Sequence, residues 1–241
     1  MGRDPACSVG MDRRAHDPDT VSTTGEEDTT ALIVDSSGRV SLNGQTLGFR
    51  FETALLYAFR LHASQRRKGS GTPYIGHLLG VASQVIEAGG DEDSAIAALL
   101  HDAVEDQGGE PTLQAIKTLF GERVASIVDH CSDDDPNSTE RNAENWEVRK
   151  TRYLQSLRHA SHDVLRVSLA DKLYNARSVL LDLRVLGDEV WGRFNQPKEK
   201  QLWYYRELVK AFREATHLGA LIVLVEEFES VVREMERLAK A

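Results

Sequence analysis

The feature that most limits how this chain can fold is a single run, Ala98-Leu-Leu-His101-Asp102-Ala-Val-Glu105-Asp106. It closes an apolar stretch, beginning near residue 93, with four ionisable side chains. A helix this apolar belongs inside a protein, yet isolated carboxylates are very costly to bury. The fold must therefore bring compensating charge to this point, and a divalent metal ion supplies it. On one continuous helix, residues four apart share a face. His101 then stacks above Glu105, and Asp102 above Asp106. His101 and Asp102 point about 100° apart around such a helix, so both reach one ion only if it sits between their directions. Two more ligands must come from other helices.

Two positions have the right chemistry. His77 opens a helix after Tyr74-Ile75, and Asp171 lies in Ser168-Leu-Ala-Asp171-Lys-Leu-Tyr-Asn175-Ala-Arg177, where polar residues again interrupt an apolar helix. Two histidines and two carboxylates make a mixed nitrogen and oxygen shell. That suits manganese, iron or zinc and leaves positions for water. Taken singly, each feature has an ordinary explanation: a surface histidine, a solvated helix end at Glu105-Asp106, an ion pair of Asp171 with Lys172. Their joint occurrence in these contexts points to one metal site. Of the other histidines, His16, His62, His130, His159, His162 and His217, His62 alone sits close to the next feature.

That feature is Gln65-Arg66-Arg67-Lys68, followed by a Gly-rich turn that leads to His77. Cations at a helix end are favoured by the helix dipole alone. Three of them beside this turn fit a phosphate clamp better, because Arg grips phosphate with two parallel hydrogen bonds and Lys adds a point charge. Arg149-Lys150 is a second basic pair. The net charge of −9 argues against general nucleic-acid binding, which needs many phosphate-neutralising cations. It leaves room for a small polyanion held in one basic pocket.

The rest of the chain reads as an all-α bundle. Residues 1–30 are polar and acidic and read as a disordered leader. Residues 31–48 contain two short apolar runs around Ser36-Ser37-Gly38, a short hairpin or a loose tail. Residues 49–241 read as the helical domain, with helices near 50–62, 77–88, 93–105, 112–120, 124–128, 146–158, 162–183, 198–216 and 219–239. Residues 133–142 form a polar, acidic connector. The last helix offers Val223, Val225, Phe228, Val231 and Val232 for core packing or a homo-oligomer contact. The two cysteines, Cys7 and Cys131, do not make a disulfide framework, and the first thirty residues hold no apolar signal core. No run approaches the roughly 18 apolar residues of a membrane helix. The expectation is a cytoplasmic protein with no membrane partner.

Several stretches together resemble the HD-domain superfamily. More narrowly, they resemble the hydrolase domain of RelA/SpoT-type alarmone enzymes and their small stand-alone relatives. They are Ala58-Phe-Arg-Leu-His62, Gln65-Arg-Arg-Lys68, Gly71-Thr-Pro-Tyr-Ile-Gly-His77, Ala97-Ala-Leu-Leu-His-Asp-Ala-Val-Glu-Asp106, Phe120-Gly121, Arg149-Lys150 and Leu169-Ala-Asp-Lys-Leu-Tyr-Asn-Ala-Arg177. The resemblance implies an HD-domain helical bundle with manganese held by His77, His101, Asp102 and Asp171. It implies that Glu105 and Asp106 serve hydrolysis, and that Arg67, Lys68 and Asn175 contact a nucleotide. Lys150 belongs with the basic contacts, and Lys200 and Tyr204 fall where the small enzymes place an Arg and a Tyr. Lys200 in place of Arg departs from the pattern, as does Leu78 where a proline usually follows His77. The implied reaction is hydrolysis of guanosine 3′,5′-bis(diphosphate) at its 3′ position. Two alternatives stay open: an HD hydrolase acting on another phosphorylated nucleotide, and a non-catalytic module that binds an alarmone.

Overall fold

The computed structural model describes residues 32–34, 40–42, 47–132 and 146–240. The expected leader and the acidic connector lie outside the described residues. Strands β1 (Leu32–Val34) and β2 (Val40–Leu42) pair antiparallel, with Leu32 opposite Leu42 and Val34 opposite Val40. They occupy the two apolar runs that flank Ser36-Ser37-Gly38.

Every other regular element among the described residues is helical. The order is α1 (Phe49–Leu61), α2 (Ile75–Glu87), α3 (Glu92–Leu100), α4 (Ala103–Gln107), α5 (Glu110–Phe120), α6 (Glu122–Cys131), α7 (Trp146–Leu157), α8 (His162–Leu186), α9 (Lys198–Arg213) and α10 (Ile222–Ala239). Short 3-10 segments, Gly187–Arg193 and Gly219–Leu221, join α8 to α9 and lead into α10. The expected all-α architecture is what the chain adopts.

Local signals explain the element ends. Asp91 caps α3, accepting hydrogen bonds from the Ser94 backbone N–H at 3.0 Å and from its hydroxyl at 2.8 Å. Glu92 and Asp93 add negative charge to the same positive helix end. Ser161 caps α8 through the Val164 N–H. Gly121, at φ +95°, separates α5 from α6 in a conformation that a side chain would strain.

One expectation needs correction. The run from 93 to 105 is not one helix: α3 stops at Leu100 and α4 begins at Ala103. Between them Asp102 turns to φ −95°, ψ −2°. The apolar pattern could not reveal this, because it reports burial rather than continuity of hydrogen bonding. The break lets adjacent residues converge: His101 Nε2 and Asp102 Oδ2 lie 3.0 Å apart. The vertical pairing survives for Asp102 and Asp106, whose backbone groups bond at 2.9 Å.

The core has two halves that share α8. Helix α3 is buried on all sides and packs against α1, α2, α6 and α8. Helix α8 also packs against α10, with α9 and α7 behind it. Val164, Val167 and Ala170 of α8 belong to the first half, while Leu165, Leu169, Leu173, Val179 and Leu183 belong to the second. Asp171 sits on the helix that both halves share. In α10, Val225, Phe228 and Val232 are core residues, whereas Val223 is exposed.

Candidate active site

Four side chains from α2, the α3–α4 turn and α8 meet at one point. His77 Nε2 lies 3.3 Å from His101 Nε2, 3.3 Å from Asp102 Oδ2 and 3.3 Å from Asp171 Oδ1. His101 Nε2 lies 3.0 Å from Asp102 Oδ2 and 3.5 Å from Asp171 Oδ1. Donor atoms about 2.0–2.2 Å from a common ion would be separated by roughly these distances. The two imidazoles and Asp171 are buried, and Asp102 is the most open of the four.

The chemistry of the donors also fits a cation. The Ala98 carbonyl accepts from His101 Nδ1–H at 2.8 Å, so in the neutral ring the Nε2 lone pair faces the cluster. Lone pairs and carboxylates that face each other repel unless positive charge sits among them. Burial works against a charge on His101, but the carboxylates of Asp102 and Asp171 hold its pKa well above the ordinary imidazole value. Burial also opposes ionisation of Asp102 and Asp171. His101 and His77 still hold Asp102 well below the carboxylate range, and Lys172 with the two imidazoles does so for Asp171. The cluster favours positive charge at its centre.

Neighbours orient this cage. Tyr74 donates to Asp102 Oδ2 at 2.6 Å. Lys172 donates to Asp171 Oδ2 at 2.8 Å, and Asn175 donates to Asp171 Oδ1 at 2.6 Å. The Asn175 carbonyl in turn accepts from Arg67 at 2.7 Å. The basic run is thus tied to the cage through one amide. Lys68 reaches Asn195 at 2.9 Å, which pins the other side of the turn. The Tyr174 ring lies 5.1 Å from the His77 ring. It fits there because Gly80 has no side chain: a Cβ on Gly80 would come within 2.0 Å of that ring.

A cleft of about 560 Å³ opens beside the cage. Its walls carry seven cations, Arg66, Arg67, Lys68, Arg149, Lys150, Lys172 and Arg193, against three acids, Glu105, Asp106 and Asp182. A chain of net charge −9 thus concentrates positive charge in one place. Tyr74, Asn175 and Lys172, all bonded to cage ligands, also line it. Partial burial, followed by the negative charge of Asp102, pushes the Asp106 carboxyl above its ordinary pKa, with the hydrogen bond from Gln65 opposing. Farther along, Lys150 lies 4.8 Å from the Tyr204 ring centroid, and Trp146 packs against that ring at 5.8 Å.

Of the residues singled out from sequence, the structure gathers His77, His101, Asp102 and Asp171 in the cage. It sets Glu105, Asp106, Arg67, Lys68, Asn175, Lys150 and Tyr204 around the cleft. Lys200 is apart from these: it pairs with Glu147 at 3.4 Å, and Gln201 lines the cleft on that turn of α9. Leu78 in place of proline leaves α2 starting at Ile75, ahead of His77. The sequence motifs contained Tyr74, Tyr174 and Gln65 without giving them a role of their own, and Gly80 was not among them. Only Gly80 carried a local signal, as a glycine inside a helix that needs a packing reason.

An all-helical bundle that converges two imidazoles and two carboxylates beside a basic cleft defines a class of metal-binding helical proteins. Residues 54–186 match the HD domain family, and the chain belongs to it. Among curated relatives, it is 38% identical over 160 residues to guanosine-3′,5′-bis(diphosphate) 3′-pyrophosphohydrolase MESH1 of Xenopus tropicalis, a match covering 65% of this chain and 81% of that one. It is 40% identical over 139 residues to the MESH1 of Homo sapiens, covering 56% of this chain and 70% of that one. A probable enzyme of the same activity from Synechocystis is 38% identical over 130 residues, but the match spans only 16% of that longer protein. Among solved structures, a metazoan ortholog of SpoT described as hydrolysing ppGpp is 28% identical. It covers 78% of this chain and 96% of its own, with a TM-score of 0.62.

Proposed function

We propose that this protein is a metal-dependent phosphohydrolase that cleaves guanosine 3′,5′-bis(diphosphate) at the 3′ position and releases pyrophosphate. The observation that carries this reading is the juxtaposition of a four-residue cage, in which each imidazole Nε2 lies 3.0–3.5 Å from both carboxylates, and a cationic cleft that holds a pair of carboxylates. The names borne by the MESH1 relatives support the same substrate.

His77, His101, Asp102 and Asp171 would hold the ion; the mixed donors suit manganese, iron or zinc, and the resemblance to the alarmone hydrolases favours manganese. When bound, such an ion supplies Lewis-acid charge to phosphate oxygens and makes water more acidic. Arg67 and Lys68 neutralise the substrate phosphates, and the Lys150–Tyr204–Trp146 wall meets the rest of the nucleotide. Glu105, with Asp106, orients the attacking water and accepts its proton. The bond that breaks joins phosphorus to the ribose 3′ oxygen. Asn175 bridges Arg67 and Asp171, so the grip on phosphate and the geometry of the cage are coupled. No described helix is long and apolar enough to cross a membrane, and the buried free thiol of Cys131 suits a reducing cytoplasm.

The test is pyrophosphate release from guanosine 3′,5′-bis(diphosphate) with manganese, in wild type and Glu105→Gln. Gln keeps the size of Glu but cannot take a proton, and general-base catalysis contributes about 10²–10⁴-fold. A loss of that size with metal and fold intact is expected. A wild type that binds the nucleotide but releases nothing, here and across 2′-, 3′- and 5′-phosphorylated nucleotides, would make it a binding module instead.

A further inference from the structure

We propose that His62 is a positioning residue for the carboxylate pair: its Nδ1–H orients the Gln65 amide, and that amide orients Asp106. The inference rests on the reading above that Asp106 takes part in hydrolysis.

Three contacts carry it. His62 Nδ1 lies 2.7 Å from Gln65 Oε1. Gln65 Nε2 donates to Asp106 Oδ2 at 2.6 Å. Gln107 Nε2 also donates to Gln65 Oε1. A carboxylate only accepts, so the Gln65 NH₂ group must face Asp106 and its carbonyl must face His62 and Gln107. His62 Nδ1 is therefore a donor. The backbone of Gln65 is already pinned, its N–H to the His62 carbonyl and its carbonyl to the Tyr74 N–H, both at 3.0 Å. What remains to be set is the direction of the side chain, and two donors on one oxygen set it. One Asp106 oxygen is then engaged, and the other is left to accept from water.

A purely structural role accounts poorly for this histidine. The residue is 2% exposed, and its Nε2 is buried with no partner among the described residues. An orphaned buried nitrogen destabilises the fold, and an apolar ring would pack there without that penalty. Among the described residues, the one polar contact the imidazole makes is the bond to Gln65. Its ring also stacks on Tyr74, with centroids 5.4 Å apart and planes at 18°. Since Tyr74 bonds Asp102, packing offers a competing route to the site, and the two routes can be separated by substitution.

His62→Phe keeps the ring and loses the donor. His62→Asn loses the ring and keeps an N–H close to where Nδ1 lies. Gln65→Met keeps the shape of Gln65 and loses both of its polar roles. Kinetics of pyrophosphate release from guanosine 3′,5′-bis(diphosphate), with metal content measured in parallel, read the outcome. His62→Phe and Gln65→Met should each lower kcat about tenfold, as misplacement of a reacting group does, with KM and bound metal unchanged. His62→Asn should recover kcat to within about threefold of wild type. The double variant His62→Phe, Gln65→Met should fall no further than Gln65→Met alone, because both act through one bond to Asp106.

Asp106→Asn separates the two levels of failure. If Asp106→Asn is inactive while His62→Phe keeps wild-type kcat, or while His62→Asn falls as far as His62→Phe, the relay alone is overturned. If Asp106→Asn turns over normally, or wild type releases no pyrophosphate, the reading beneath it is overturned as well. Should His62→Phe not fold, the decision rests on Gln65→Met and His62→Asn: equal kcat in Gln65→Met and wild type overturns the relay.

Discussion

The half of the core built around α3 buries more alanines, and the half across α8 buries more rings. Ala54, Ala58, Ala82, Ala97, Ala98, Ala103 and Ala170 are buried in the first half. Tyr153, Trp191, Tyr204, Tyr205, Phe212 and Phe228 are buried across α8 from them. Helix separation depends on the side chains at the contact. Ala82, Ala97, Ala98 and Ala170 keep side-chain bulk low in the cluster shared by the helices that carry His77, His101 and Asp171. Rings pack edge to face, as Phe212 of α9 and Phe228 of α10 do at 6.1 Å and 85°. Tyr204 and Tyr205 of this half also line the cleft.

The contrast predicts where a substitution is felt. The largest effect is expected for His101→Ala or Asp171→Ala, which should remove the ion, abolish turnover and lower Tm, since bound metal stabilises only the folded state. Elemental analysis that finds full occupancy in both variants would sink the cage. Arg67→Ala should keep the ion and lower kcat/KM about tenfold or more, the loss expected for a charged hydrogen bond to phosphate. Unchanged kinetics would reduce the basic run to a solvated turn.

In the aromatic half the order reverses. Phe228→Ala should cost about 3–5 kcal/mol in denaturant unfolding, with kcat and metal content of the folded protein near wild type. A parallel loss of metal would show that the halves are not separable. The smallest effect is electrostatic. Burial works against ionised Asp91, yet Arg123 and Ser94 hold its carboxyl below the ordinary pKa. Its contribution to stability is therefore present above the unfolded aspartate pKa and lost as pH falls through the lower folded value. Asp91→Asn keeps a helix cap and loses the charge. Its small Tm deficit should appear above about pH 4 and close in more acid solution; a deficit independent of pH would assign the effect to the cap.

Much of this was legible in the chain. The 3.6-residue spacing of apolar positions is a local property, so the helices could be placed to within a few residues. The donor set was legible because His101, Asp102 and Asp171 stand in apolar helices where an uncompensated charge is costly. Lys200 shows the limit. Its place on α9 is local information, but its ion pair with Glu147 of α7 depends on how two distant helices pack. Gly80 was visible as an anomaly, but the ring that requires it, Tyr174, comes from another helix.

The amino-acid sequence by itself determined the helical class, the caps, the kinds of ligand available and the concentration of cations before His77. Only the tertiary structure decided that α3 ends at Leu100, that the two imidazole nitrogens come within 3.0–3.5 Å of both carboxylates, and that Arg67, Asn175 and Asp171 form one hydrogen-bonded line from the basic run to the cage. The physical reason is range. Periodicity and capping act within a few residues of chain, whereas convergence of side chains depends on how separate helices pack, and those faces meet only after folding.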